Sequence, residues 1–317
     1  MMDYRYHLTS LAAVFLALGV GVVLGAGPLQ GTLSDAMNSK VTSLRAENEQ
    51  IKTQLSEANE ANEAANSFAQ ALGEQLNPKV LNDLPVAIVA LPGVEQSQLD
   101  RVAKTVAGAN GKVTATLQLT ERFISPAYSQ YRESLAPQIS QYLTAKPDAA
   151  ASAEFVLGAA LTQILTASEP NGQTLKQILA NAENPLIAAP QDAPPASAII
   201  LVTSDALPNI PSSTSVVSKV EGENNDHTAE RATLHDLASA LTAAPKSALA
   251  IGNATSEEAP LALLRASDAP LTTVDSLNRG SSLVNLPSAL ATAGPNGRAI
   301  GSQVGASLLV PTFILPK

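Results

Sequence analysis

The chain has 317 residues and a net charge of -9, an acid excess that disfavours nucleic acid and anionic lipid as partners of its polar part, because both recruit Lys and Arg. Aromatics make up 3% with no Trp, which argues against a stacking platform for sugars or bases, and the lack of Cys removes disulfides, thiol nucleophiles and thiolate metal sites. The 21 Pro point to many short elements with stiff connections.

From Leu8 to Ser34 there is no Asp, Glu, Lys or Arg, and Leu8–Ala26 is rich in Leu, Val, Ala and Gly. Such a run is long enough to cross a hydrocarbon layer of roughly 30 Å. A cleaved secretory signal is the competing reading, with Gly25, Ala26 and Gly27 as its cleavage site. Its apolar centre would be about 7–15 residues behind a basic start. Here the run is longer and only Arg5 precedes it, so a retained span over 8–27 is expected. Arg5 before the span and Asp35 as the first charge after it place residues 1–7 in the cytoplasm and the rest outside. Ala13, Ala17, Gly21 and Gly25 recur every four residues, the small-xxx-small stripe that lets two helices approach closely in lipid.

A heptad stalk is expected over 33–77. Met37, Leu44, Ile51, Ala58, Ala65 and Leu72 fall at d, and Val41, Asn48, Leu55, Asn62, Ala69 and Leu76 at a. Asn at a positions costs stability but fixes register and favours two strands. Glu47 and Lys52 would attract across a parallel dimer, whereas Lys40 and Arg45 would repel. The seam suits either a parallel homodimer or a helix from another protein. Gly73, Asn77 and Pro78 end the helix.

From Leu84 the period changes. Pro85–Leu91 reads as a buried strand, Glu95–Ala109 as a helix and Lys112–Leu119 as a strand, which together make a βαβ unit. Helices are expected at Ala127–Leu143, Ala153–Ala167, Gly172–Ala182, His227–Ala243, Glu257–Ala266 and Leu286–Ala293. Strands are expected at Ala196–Thr203, Ser247–Gly252 and Leu271–Val274, with a Pro-rich tail after Val310. Residues 84–317 therefore read as an extracytoplasmic α/β domain of the Rossmann/flavodoxin-like kind, a mostly parallel sheet of four to six strands flanked by helices.

In such sheets ligands sit beyond the carboxyl ends of the strands, here Pro92 to Glu95, Thr203 to Asp205, Gly252-Asn253 and Asp275-Ser276. None of these turns carries a dinucleotide or triphosphate signature. The stretch from Gly294 to Gly301 with Arg298 is a surface loop rather than an anion cradle. His235 beside Asp236 lacks a nucleophile elbow, so no catalytic residue and no cofactor are expected. Copper would require sulfur or imidazole ligands. The only Met are Met1, Met2 and Met37, and His7 lies at the membrane edge. His227 and His235, eight residues apart on one helix, stand about 12 Å apart along its axis, too far to share an ion. Glu223 and Glu230 are the nearby oxygens, and all of these read as solvated helix residues rather than a metal site.

The segment from Arg5 through Leu8, Ser10 and Leu18 to Gly25 resembles the start of the actinobacterial family named for mycobacterial copper transport protein B (MctB). Thr273-Val274-Asp275-Ser276, followed by Gly280 and Leu286–Leu290, resembles a later motif of that family. The order of anchor, coil and α/β domain agrees throughout. The resemblance implies two functions. SteB-like corynebacterial members pair with SteA, a cytoplasmic and membrane protein, and control the septal peptidoglycan hydrolase RipA, whose coiled coil is a candidate partner. A scaffold of that kind in cell separation, without enzymatic activity, is the first expectation. Copper efflux across the envelope is the alternative; one span and no sulfur-rich track are far from what a channel needs. An unrecognised enzyme with a polar pocket at the strand ends is a third.

Overall fold

The computed structural model describes residues 4–25, 29–167, 170–181, 183–188, 193–207 and 227–312. The chain divides into two units, Met1–Ala64 and Ala65–Lys317. Helix α1 (Tyr4–Gly25) follows directly from the uncharged run, and its stretch Tyr6–Val23, with a mean hydropathy of 1.9, is long and apolar enough to cross a membrane. Helix α2 (Leu29–Leu76) has 48 residues, about 72 Å at 1.5 Å per residue. Its length matches the stretch between Gly31 and Gly73, which contains neither Gly nor Pro to break it.

The second unit is a parallel α/β sheet. Strand β1 (Pro85–Ala90) leads into α3 (Gln96–Gly108) and back to β2 (Lys112–Gln118). The start of α3 is set by Gln98, whose Oε1 accepts the Glu95 N–H at 3.1 Å. Four short helices follow: α4 (Glu121–Ile124), α5 (Ser129–Ser140), α6 (Ala153–Thr166) and α7 (Pro170–Leu179). The remaining elements are β3 (Ala198–Val202), α8 (Thr228–Leu241), β4 (Ser247–Ile251), α9 (Pro260–Ala266), β5 (Thr272–Val274), α10 (Gly280–Thr292) and β6 (Ala299–Ile300).

The strand order is β2-β1-β3-β4-β5-β6 and every pairing is parallel. A parallel sheet is covered on both faces, which is why its central strands are unbroken apolar runs rather than alternating ones. All of Ala198–Val202 is buried, as are Val86–Ala90. Helices α6 and α8 cross at Gly158, where an added Cβ would meet the Ala240 methyl at 2.7 Å, and the Thr162 hydroxyl donates across the same crossing to the Ala240 carbonyl. Arg132, 1% exposed, fastens α4, α5 and α6 together. Its Nε donates to Glu154 and its Nη1 to the carbonyls of Arg122 and Ser125.

Both outer strands have company. Thr120 N–H donates to the Leu186 carbonyl and Ala188 N–H to the Gln118 carbonyl, so 186–188 runs beside the end of β2. At the other side, Ser307 and Leu308 donate to the Ala299 carbonyl and Gly301 donates to Leu308, so 307–308 runs beside β6.

Three elements depart from the sequence expectation. Helix α10 begins at Gly280 rather than Leu286, α4 is an extra turn, and β6 is a two-residue strand. The early start of α10 has a tertiary cause: Gly280 N–H donates to the Asn66 side chain at 2.9 Å. A Cβ at Gly280 would collide with the Asn66 carbonyl oxygen and lie 2.9 Å from the Ala69 methyl, so only glycine fits there. Local propensity gives no hint of this, since Gly and Ser favour ends and turns over helix interiors.

Candidate functional site

Three places bear on function: the seam of α2, the carboxyl ends of the strands, and a groove beside α3.

Along α2 the large seam residues stand in solvent. Met37, Leu44, Ile51 and Leu55 are each about 60% exposed and Val41 is 41% exposed. Asn48, Ala58, Asn62 and Ala65 are exposed as well. In this single chain Lys52 bonds to Glu49 one turn away at 3.0 Å, an exposed pair. The pattern changes at the end of the helix. Ala69 and Leu76 are half-buried, Gly73 and Asn77 are buried, and Leu72 stays at the edge of exposure. On α1, Ala13, Ala17, Gly21 and Gly25 are all exposed, with nothing within 4 Å of a Cβ built on either glycine.

The last turns of α2 pack on α10. Gly73 lies 3.5 Å from Leu283 O and the Val284 side chain, measured from an added Cβ. Asn77 donates to the Val284 carbonyl at 2.9 Å and accepts from the Ser288 hydroxyl at 3.0 Å. These bonds satisfy a buried amide that would otherwise be costly.

At the strand ends the polar groups are turned inward. Asp275 forms an ion pair with Arg265 at 3.1 Å, the side chains being 0% and 4% exposed. The carboxylate also accepts from the Ser276 hydroxyl and from the backbone N–H groups of Ser302 and Gln303. Arg265 completes its fork on Thr273 Oγ1 and the carbonyls of Ile300 and Val304. Burial pulls the Arg265 pKa down, opposed by the charge of Asp275. Gly301, at φ +134, sits where any Cβ would strike that carboxylate. The pair therefore fastens the segment after β6 across the end of β5. At the ends of β3 and β4, Asn253 donates to Asp205 at 2.7 Å, and the buried Thr203 hydroxyl has no partner among the described residues.

The histidines do not converge. His235 Nδ1 donates to the Ser267 carbonyl at 2.8 Å, while its neighbour Asp236 accepts from the Ser152 hydroxyl at 2.6 Å. The two side chains thus serve separate partners and do not form a catalytic pair. His227 is half-buried, and its Nε2 is without a partner among the described residues. No group of three or more His, Asp or Glu gathers among the described residues. Glu223, Ala26 and Gly27, together with Met1, Met2 and residues 313–317, lie outside them.

The groove is the feature that sequence reasoning missed. It has a volume of about 650 Å³ and lies between the end of α2, the outer face of α3 and the middle of α10. Gln70, Gly73 and Asn77 line it from α2, Leu283 and Pro287 from α10. Pro287 has no N–H to offer the Leu283 carbonyl one turn back. From α3 come Ser97, Asp100, Arg101, Lys104 and Thr105, and the floor ends at Gly108 and Ala109. Arg101 and Lys104 are exposed. The spacing of the two cations was visible in the sequence; the wall opposite them was not.

With this geometry in place, comparison with known proteins decides the relationship. A sequence model of the family described as "Copper transport outer membrane protein, MctB" matches residues 1–311. The chain belongs to this family. Copper transporter MctB of Mycobacterium tuberculosis (strain H37Rv) and that of Mycobacterium bovis are each 32% identical over 182 residues, which covers 56% of this chain and 57% of the relative. The Mycobacterium leprae protein of the same name is 32% identical over 183 residues, 54% of this chain and 56% of the relative. The chain thus spans little more than half the length of the curated relatives it matches. The family match spans both the anchor segment and the Asp275 motif. In this MctB-family member that motif supplies an internal ion pair.

Proposed function

We propose that this protein works in copper export across the cell envelope, as a membrane-anchored accessory rather than as the conducting path. The family match over residues 1–311 carries this reading. Helix α1 supports the anchor, and Arg5 before it supports a cytoplasmic N-terminus with the head outside. The accessory role follows from the donor set. Copper favours sulfur and imidazole, and the chain has no Cys, three Met and three His, with His227 and His235 directed to separate surroundings. The head acts by binding and has no turnover of its own. Deleting the gene should raise copper sensitivity, and the full chain should restore resistance. Isothermal titration of the full chain in detergent with Cu(I) and Cu(II) should show no tight site. Unchanged copper tolerance on deletion would remove the reading, and tight stoichiometric binding would turn the accessory into a carrier.

A second reading is favoured by the bare apolar seam of α2. Met37, Leu44, Ile51 and Leu55 lie open along one helix face, which suits a partner helix. That partner is a second copy of the chain in a parallel dimer, or the coil of a SteB-type cell-separation system, with a SteA-like protein and a RipA-like hydrolase. Deletion would then give chained, unseparated cells, and pull-downs from membranes would lose their partner when 33–77 is removed. Normal septal splitting would count against it.

A further inference from the structure

We propose that the groove between α2, α3 and α10 is a docking site for an acidic peptide segment of a partner protein. This goes beyond the copper reading and does not depend on it. Three observations carry it. The cavity, about 650 Å³, is of ligand size. Its lining runs from Ser97 to Ala109, nearly the whole of α3, a length of about 18 Å at the helical rise. A single small anion would occupy one point of such a trough; a peptide of about three turns fills it.

The charge is the second observation. The chain carries 28 Asp and Glu against 19 Lys and Arg, yet Arg101 and Lys104, one turn apart in the middle of the trough, make no ion pair or side-chain hydrogen bond among the described residues. Asp100, the one carboxylate among the described lining residues, accepts from the Gln96 amide at 2.9 Å and leaves Arg101 and Lys104 in excess by one charge. Carboxylates arriving at Arg101 and Lys104 would gain charge-assisted bonds, with Arg offering a two-pronged fork.

The third observation is the opposite wall. Gln70 and Gly73 line it from α2, with Leu283 and Pro287 beside them from α10. A peptide backbone can lie against such a wall while its acidic side chains reach across to α3. The wall is itself firmly built, since Asn77 is buried and bonded to both Val284 and Ser288.

The test uses the full chain in detergent and a fluorescein-labelled Glu-Ala-Ala repeat of about 12 residues, long enough to cover the trough, read by anisotropy at about 0.15 M salt. Saturable binding is expected, weakened about tenfold or more by Arg101→Glu with Lys104→Glu, as for the loss of a charge-assisted contact. Arg231→Glu, an exposed change of like sign on α8, should leave it intact. If the double reversal shifts the melting temperature, Arg101→Gln with Lys104→Gln replaces it. The proposal is overturned by no binding, by equal binding to the groove variants, by an equal loss in Arg231→Glu, or by inorganic phosphate competing as well as the peptide.

Discussion

Ser288 donates its hydroxyl to Asn77 Oδ1 at 3.0 Å, and Asn77 in turn donates to the Val284 carbonyl at 2.9 Å. The two side chains are 0% and 3% exposed, so neither can fall back on water. Replacing Asn77 by Leu leaves the buried Ser288 hydroxyl without its acceptor and removes the added bond to the Val284 carbonyl, at a cost of about 1–3 kcal/mol. Ser288→Ala removes only one bond and should cost less. Urea unfolding of the full chain in detergent reads both, and equal midpoints for Asn77→Leu and the parent would show that this contact contributes nothing.

Gly280→Ala is a second probe of the same packing. Its Cβ would be driven into the Asn66 carbonyl and toward Ala69, and the N–H to Asn66 bond would have to yield. Overpacking of this kind costs about 1–3 kcal/mol. A thermal melt is sufficient to see it, and a melt identical to the parent would mean the backbone shifts at no cost.

The Asp275–Arg265 pair should be sensitive to the loss of either partner. Asp275→Asn leaves the guanidinium buried without its counter-charge, and Arg265→Met leaves the carboxylate facing only N–H groups and a hydroxyl. Breaking a buried pair from one side costs about 3–5 kcal/mol. Because both residues hold the segment 300–304, limited proteolysis should cut there first in either variant. Parent-like resistance in both would rule out the clamp.

The seam offers a fourth. Asn48→Leu with Asn62→Leu should raise the melting temperature while loosening oligomer state or partner choice, because an a-position Asn, once covered by the proposed partner helix, trades stability for register. Sedimentation of the full chain beside a melt separates the two effects; an unchanged mass with a lower melting point would put the heptad register in error.

Acid behaviour has one clear contributor. The bond and charge of Lys112, 2.9 Å away, hold the Asp83 carboxyl below its ordinary value. A depressed carboxyl contributes stability above its unfolded pKa, near 4, and loses it as pH falls through the folded value. Asp83→Asn should therefore be less stable than the parent at neutral pH and converge with it in acid. The pair is open to solvent, so added salt should shrink the neutral-pH gap.

Much of the fold was legible because burial writes itself into composition. Ala198–Val202 has no polar residue, and a strand with both faces covered needs none. What stayed hidden depends on residues distant in sequence. The beginning of α10 is decided by Asn66, more than two hundred positions earlier, and β6 exists because two residues pair with β5. The same holds for the sites. Asp275 stands at a strand end, where ligands gather, but its partner Arg265 comes from the preceding helix, and no spacing rule links them. Arg101 and Lys104 look like ordinary solvated charges until the end of α2 is laid opposite them.

With α1 acting as the proposed membrane anchor, the segments beside β2 and β6 would have a consequence. Chains confined to one plane meet each other far more often than chains in bulk solvent, and an open sheet rim is a template for strand addition. Here 186–188 and 307–308 already occupy hydrogen-bonding positions at the two rims, in short irregular pieces that cannot propagate a ladder. Strand addition would thereby be hindered along β6 and at the carboxyl end of β2, the parts of the two rims that are already paired.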